Sequence, residues 1–361
     1  MKIVYITSDW LFETGGISQH IENLTKFMAI DHDVYIIYIN RNNQDKYEED
    51  SFKRKIYYIP NNGNQIQRLI NFPVKEITEI INKLSPDLIH VHTLFETFRL
   101  PKYKSKMIFT NHSSSYLKMY NNFVLKSFVL PKVLEKFDLV ISPSTELFEK
   151  TLHSKSIMIS NGVDTNRFNL ENRSKIDKNK ILEKYKIKYN KEKIFISTRR
   201  LVDKNGVLEF IKKNISFFKS SKDSIYLIAG TGEHFEQIKK IKEENTLNNI
   251  YLLGNLKNTD LDDLYYISDF CIIPSKMEAI SISALEAMSS GSIVVANKVG
   301  GLAELIEDRK NGVFIQDWSL EKTFEEGIDT NEIRSQAFNH VINNYAWDII
   351  IKETIKAYKS I

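Results

Sequence analysis

The chain has 361 residues, enough for two domains at roughly 100–200 residues each. Apolar residues make up 42% and charged residues 27%, a soluble globular balance that excludes collagen-like, disulfide-scaffold and disordered chains. A net charge of +4 is too small to argue for a nucleic-acid partner, and the single cysteine, Cys271, excludes a disulfide framework or a cysteine zinc site.

A strand pattern opens at once with KIVYIT (2–7). No basic segment followed by a cleavable apolar stretch precedes it, so a cytoplasmic protein is expected. No apolar run reaches the ~18 residues a membrane span needs. The strand runs continue with DVYIIYI (33–39), KIYYIP (55–60), DLIHVHT (87–93), MIFTNH (107–112), LVISPS (139–144) and SIMISNG (156–162). Helical stretches lie between them. In PVKEITEIINKL the apolar positions Val74, Ile77, Ile80, Ile81 and Leu84 recur at helical spacing. From 163 to 192 the pattern gives way to a polar, charge-dense stretch that reads as a connector containing one helix. A second series follows: IFIST (194–198), IYLIAG (225–230), IYLLGN (250–255), FCIIPS (270–275), SIVVAN (292–297) and GVFI (312–315), then helix from 330 to the last residue. Two consecutive βαβ series predict an α/β protein of two doubly wound domains facing across a cleft, with ligands at the carboxyl ends of the strands.

Four groups of residues suit chemistry at such strand ends. TGGIS (14–18) follows the first strand and opens a helix, so Gly15 and Gly16 let the backbone approach an anion at a helix start, although a plain βα turn reads the same way. The full G-x-G-x-x-G fingerprint is absent here, and GTGEHF (230–235) has no third glycine, so a dinucleotide is not expected. His90, His92 and His112 stand at strand ends. His90 reads as structural. No nearby group completes a metal set for the His90–His92 pair, and His112 is the functional candidate, facing a sugar hydroxyl or a developing charge.

RRLVDKNG (199–206) brings Arg199, Arg200 and Lys204 to a strand end, where guanidinium and ammonium groups suit a diphosphate. PSKMEAISISALEAMSSG (274–291) places Glu278 just past a strand and Glu286 eight residues on, inside a helix expected over 283–290. Carboxylates in that setting accept sugar or ribose hydroxyls, while the helix start faces phosphate or sugar oxygens. Two glutamates at this spacing are also common on ordinary helix surfaces. The Asp260-Leu261-Asp262 triplet opens a helical stretch and reads as capping rather than metal binding.

The order P-S-x-x-Glu278-x7-Glu286-A-M-x-x-G, then VVANKVGGLAELI (294–306) and NGV (311–313), resembles the retaining glycosyltransferases of family 4, which have the GT-B fold. The resemblance runs over nearly the whole chain and includes the GGI loop, DLIHVH, Asn111-His112, SNGVDTNRF (160–168), RRLVDKNG, IAGTGE (228–233), LLGN (252–255) and the terminal YAW. It implies an N-terminal, acceptor-side Rossmann-like domain over 1–165 and a nucleotide-sugar-binding one over 166–345. It also implies a helix, 346–361, that crosses back to the first. The activity implied is transfer of a sugar from a UDP- or GDP-linked donor to an acceptor hydroxyl with retention, without metal or cofactor. Glu286 would bind the ribose and Glu278 the donor-sugar hydroxyls. Arg200 and Lys204 would hold the diphosphate, with Gly15 and Gly16 approaching it, and His112 would lie by the donor sugar. Where the family commonly carries Gly-Phe-Gly after the first glutamate, this chain has Ala279, Ile280 and Ser281; these, with Ile282, would line the sugar pocket. The usual lysine before Gly206 is Asn205, with Lys204 one place earlier. A GT-B nucleotide-sugar epimerase and a non-catalytic sugar-binding scaffold are the competing readings.

One segment points to a partner surface. Residues 99–136 carry Arg99, Lys102, Lys104, Lys106, Lys118, Lys126, Lys132 and Lys136 against Glu135 alone, interleaved with Tyr103, Tyr116, Tyr120, Phe123 and Phe128. A basic, aromatic face predicts peripheral association with an anionic membrane, at its inner side, and a lipid-linked or surface-glycan acceptor.

Overall fold

The computed structural model describes residues 1–8, 16–40, 46–112, 114–190 and 193–361. The chain forms two compact units, Met1–Asn161 with Trp347–Ile361, and Gly162–Ala346.

The first unit is built on an eight-stranded sheet: β1 (Lys2–Thr7), β2 (Asp33–Asn40), β3 (Lys46–Glu49), β4 (Lys55–Pro60), β5 (Leu88–Val91), β6 (Lys106–Thr110), β7 (Leu139–Ser142) and β8 (Ser156–Met158). Their order is β3-β4-β2-β1-β5-β6-β7-β8. All neighbours pair parallel except β3 with β4. The central strands are buried along nearly their whole length, which is why they read as unbroken apolar runs rather than alternating ones. The helix Gly16–Met28 covers one face through Ile21, Leu24 and Met28. The terminal helix Trp347–Lys359 joins the same core through Trp347, Ile350, Ala357 and Tyr358. Tyr358 reaches the sheet, where its hydroxyl meets His90 Nδ1 at 2.7 Å, while His90 Nε2 meets Thr110 Oγ1 at 2.6 Å. His90 is therefore a structural strut.

The second unit holds a six-stranded parallel sheet of β9 (Lys193–Thr198), β10 (Ser224–Ala229), β11 (Ile250–Gly254), β12 (Phe270–Ile273), β13 (Ile293–Ala296) and β14 (Val313–Phe314), in the order β11-β10-β9-β12-β13-β14. The stretch from 163 is not a connector. Val163, Phe168, Ile181, Leu182 and Ile187 are buried in this unit's core, and Asp177 caps the helix Lys178–Lys184 through the amides of Asn179 and Lys180. A few apolar residues spaced among charges suffice for short elements that bury one side.

Each sheet reverses its winding once, between β1 and β5 in the first unit and between β9 and β12 in the second. Loops part on either side of such a switch point and leave a crevice at the carboxyl ends of the strands.

Candidate functional site

In the second unit the switch point brings together segments far apart in sequence. The segment after β9 carries Arg199 and Arg200. The loop after β12 carries Glu278 and leads into the helix Ile282–Ser289, which carries Glu286. Ser281 is the N-cap of that helix, its hydroxyl accepting the Ala284 amide at 3.3 Å.

Arg199 and Arg200 take opposite paths. Arg199 turns inward and pairs with the Glu278 carboxylate, and its guanidinium also donates to Ser281 Oγ at 2.9 Å, Ser283 Oγ at 3.3 Å and Asn205 Oδ1 at 3.3 Å. Of the three cations expected to face a diphosphate, Arg199 is thus committed to a carboxylate. Arg200 is exposed, and among the described residues only its backbone enters hydrogen bonds. Lys204 is exposed in the short 3-10 turn Asp203–Asn205. Asn205 is buried and donates to the Arg200 carbonyl at 2.7 Å, so the residue standing where a lysine was expected braces the arginine turn instead. The GTG run supports the same turn. Gly230 has φ +149°, and a Cβ there would lie 2.0 Å from the Arg199 carbonyl oxygen.

Glu286 is 6% exposed. Burial pushes its carboxyl up to about 7, opposed by the nearby Arg167 guanidinium and by a hydrogen bond from the Tyr265 hydroxyl, and reinforced by Asp262. Tyr265 is fixed in turn by Thr198 Oγ1 at 2.6 Å. Arg167 is held by Asp262 through Nε at 2.7 Å and Nη2 at 2.5 Å. The D-x-D triplet is therefore not a cap. Lys257 is the N-cap of Asn258–Ile267, Asp260 sits in the first turn, and Asp262 points to Arg167. Ala279 and Ile280 are half-buried in the loop, and Ile282 is buried at the helix start. The carboxyl end of this sheet thus presents a buried acid with a raised carboxyl, an ion-paired acid and an exposed guanidinium, which together suit ribose, sugar and diphosphate oxygens.

In the first unit Gly16 opens its helix, while Gly15 lies outside the described residues. His112 lies two residues past β6, with its ring against His20 at 4.5 Å between centroids and stacked with His92 at 5.5 Å. His92 Nδ1 meets His112 Nε2 at 3.2 Å. His20, His92 and His112 each offer a ring nitrogen within 4.8 Å of the others, so the expectation that no cluster completes a ligand set around His92 is corrected. The helix Gly16–Met28 supplies the third ring, and His92 enters from the residue just past β5. Burial lowers His20 to about 4 against an opposing hydrogen bond from Asn161, and lowers His112 well below its ordinary value, helped by His20 and His90. These imidazoles are neutral at pH 7 and act as hydrogen-bonding groups rather than cations.

The basic segment divides into two parts. Tyr103 and Tyr116 are core residues, Lys102 pairs with Asp138 at 2.6 Å, and Lys136 donates to the Leu100 carbonyl at 2.8 Å. These belong to the fold and not to a surface. Phe123, Val124 and Phe128 remain exposed around the π-helical turn Leu125–Val129, beside Lys118, Lys126 and Lys132. No helix among the described residues is long and apolar enough to cross a membrane.

Arg167, Tyr265 and His20 are site residues that the sequence left without a role, and Arg199 is one that it assigned to the diphosphate rather than to Glu278.

Comparison with known proteins supplies the remaining findings. Residues 14–167 match the family described as Glycosyltransferase Family 4, and residues 177–345 match Glycosyl transferases group 1. The whole chain aligns with 98% of an uncharacterized glycosyltransferase of Methanocaldococcus jannaschii at 28% identity. Some 87% of it aligns with 84% of the alpha-monoglucosyldiacylglycerol synthase of Acholeplasma laidlawii at 23% identity. Among solved structures, sucrose-phosphate synthase from Thermosynechococcus elongatus superposes with TM-score 0.81 at 18% identity, covering 99% of this chain and 98% of that one. Anabaena HepE in complex with UDP superposes with TM-score 0.75 at 17% identity over the full length of both chains. At those identities the structural likeness establishes the fold.

Proposed function

Given a glycosyltransferase of GT-B fold that uses a nucleotide sugar, we propose that it is a retaining, metal-independent hexosyltransferase that draws on a UDP- or GDP-linked sugar and extends a lipid-linked or surface glycan. The observation that carries this is Glu286, a buried carboxyl at a sheet switch point, flanked by Tyr265 and Arg167 and accompanied by Glu278 and Arg200.

In this reading the ionised Glu286 accepts the two ribose hydroxyls, and charge-assisted bonds of that kind contribute roughly 1.5–3 kcal/mol each. Arg200, exposed at the end of β9, holds the diphosphate together with Lys204 and offsets the charge that grows on the leaving phosphate. Glu278 accepts hydroxyls of the transferred sugar. For Gly16 and neutral His112 of the first unit, the reading keeps the diphosphate and donor-sugar roles that the family resemblance implies. With retention, the leaving phosphate oxygen takes the acceptor proton on the face from which it departs. The apolar and basic surface at Phe123, Val124, Phe128 and Lys126 fits peripheral binding to an anionic bilayer, where a lipid-linked acceptor resides. The lipid product in the name of the Acholeplasma relative favours the same acceptor class.

The test is release of nucleoside diphosphate from a panel of UDP- and GDP-sugars, with and without a lipid-linked acceptor. Release only with acceptor supports transfer. An altered sugar without release supports an epimerase, and binding without turnover supports a scaffold; either outcome overturns the proposal. Glu286→Ala in a folded variant should abolish or severely reduce turnover.

A further inference from the structure

Glu278 meets its surroundings as one half of a pair. Arg199 joins four segments of the second unit: the end of β9, the turn at Asn205, the loop bearing Glu278, and the start of Ile282–Ser289 through Ser281 and Ser283. Its side chain is 10% exposed and that of Glu278 is 16% exposed, so the pair is largely sheltered from water. Ser275 Oγ adds a 3.4 Å contact to the same carboxylate oxygen. Arg199 and Ser275 both donate to that oxygen, and the remaining Arg199 bonds tie the acid's partner to Ser281, Ser283 and Asn205.

A lone carboxylate at a sugar subsite offers acceptors only, moves with its loop, and carries a net charge. A carboxylate clamped by a planar guanidinium is fixed in direction, and the pair is neutral. Adjacent sugar hydroxyls both donate and accept, so a rigid acid with fixed donors beside it reads their geometry more sharply than an acid alone.

We infer that Arg199 is a positioning and specificity-determining residue, holding Glu278, Ser281 and Ser283 as a neutral, pre-ordered subsite for an uncharged donor sugar. The inference rests on the proposed role of Glu278. It goes beyond that role by assigning selectivity to a residue outside the acid pair. Arg199 acts on the sugar and not on the nucleotide, because its guanidinium is occupied by Glu278 and the serines while Arg200 stands free.

The test compares UDP with UDP-glucose, and GDP with GDP-mannose, by calorimetric titration of wild type, Arg199→Met, Arg199→Lys, Glu278→Ala and the Arg199→Met/Glu278→Ala double variant. For whichever pair wild type binds, Arg199→Met should leave nucleoside diphosphate affinity within about twofold and weaken the nucleotide sugar about tenfold or more. Arg199→Lys should recover part of that loss. The double variant should bind the sugar nucleotide no worse than Glu278→Ala alone, because the two residues act as one unit. In turnover the Arg199→Met loss should fall on both KM and kcat, and the ratio of activities between glucose and galactose donors, or mannose and glucose donors, should move toward one. Equal loss of diphosphate and sugar-nucleotide affinity, or additive losses in the double variant, overturns the inference. Should Arg199→Met fail to fold, the Arg199→Lys comparison decides: wild-type donor selectivity in that variant also overturns it. Glu286→Ala is the separate control. Unchanged UDP and GDP affinity there defeats the nucleotide-site reading itself, and the inference with it.

Discussion

The Gly301 amide donates to the Glu278 carbonyl at 3.1 Å, and a Cβ on Gly301 would stand 1.7 Å from the carbonyl oxygen of Ala279. The loop that carries Glu278 therefore rests on bare backbone. The two closest atoms to an added methyl, the Ala279 carbonyl oxygen and carbon at 1.7 and 2.8 Å, belong to main chain, so neither yields by a rotamer change. Gly301→Ala should push the loop away, destabilise the second unit by about 1–3 kcal/mol and weaken sugar-nucleotide binding more than diphosphate binding. Thermal melts and titrations check this; a variant with wild-type melting temperature and affinity overturns it.

Glu286 gives the site a pH dependence. Its carboxyl is raised to about 7 in the folded chain, chiefly by burial. The folded state thus carries a proton that the unfolded chain has already lost between about pH 4.5 and 7. Stability from this group declines as pH rises through that window. In the role proposed for Glu286, ribose binding runs the other way, because an ionised carboxylate accepts both hydroxyls. Between pH 6 and 8 the ionised fraction rises about tenfold, and nucleoside diphosphate affinity should follow by about the same factor. Glu286→Gln should bind more weakly and without that slope. Calorimetric titration across the range tests it, and a flat wild-type profile removes this role for Glu286.

The buried strands were legible because a parallel sheet covered on both faces demands apolar runs at every position. The edge strand β3 was not: Lys46–Glu49 is polar, mostly exposed, and held by antiparallel pairing with β4 rather than by burial. The two glutamates were legible from spacing and context. Which neighbouring arginine turns inward was not, since successive residues at a strand end point to opposite sides and both carry the same charge. Arg167 and Asp262 lie 95 residues apart, and His20 meets His92 and His112 only because the helix after β1 packs over the ends of β5 and β6. Such contacts belong to topology, and no local window of sequence holds them.

The stacked imidazoles make the first unit acid-sensitive. His20, 5% exposed, is lowered to about 4 by burial, so between about pH 6.5 and 4 the unfolded chain takes up a proton that the folded chain refuses. More protons on the unfolded side means stability falls as pH drops through that window. For His20 alone the loss at pH 5 is about 2 kcal/mol. His20→Asn should therefore lose less stability than wild type between pH 7 and 5, by about that amount. Urea unfolding at the two pH values measures the difference, and identical pH dependence in both proteins contradicts the account.

The surface around Leu125–Val129 should bring the chain to anionic membranes. Phe123 is 76% exposed and Phe128 62%, and large aromatics so open to water gain by entering a headgroup layer. Lys126 lies 4.0 Å from the Tyr120 ring centroid, and Lys118 and Lys132 are exposed nearby. Each lysine near an anionic surface contributes about 1 kcal/mol at low ionic strength, and screening removes most of that in high salt. The aromatic part of the affinity survives salt, so two substitutions separate the contributions. Phe123→Ser with Phe128→Ser should cut co-sedimentation with phosphatidylserine-containing vesicles about tenfold at any salt, given that each ring buries well over a methylene's worth of apolar area. Lys118→Glu with Lys126→Glu should cut it at low salt only. Neither pair is among the residues proposed to bind the nucleotide sugar, so release of nucleoside diphosphate in the presence of a detergent-soluble acceptor should be unchanged in both. Wild-type protein that stays in the supernatant with anionic vesicles at low salt ends the membrane reading and leaves the exposed phenylalanines without that role.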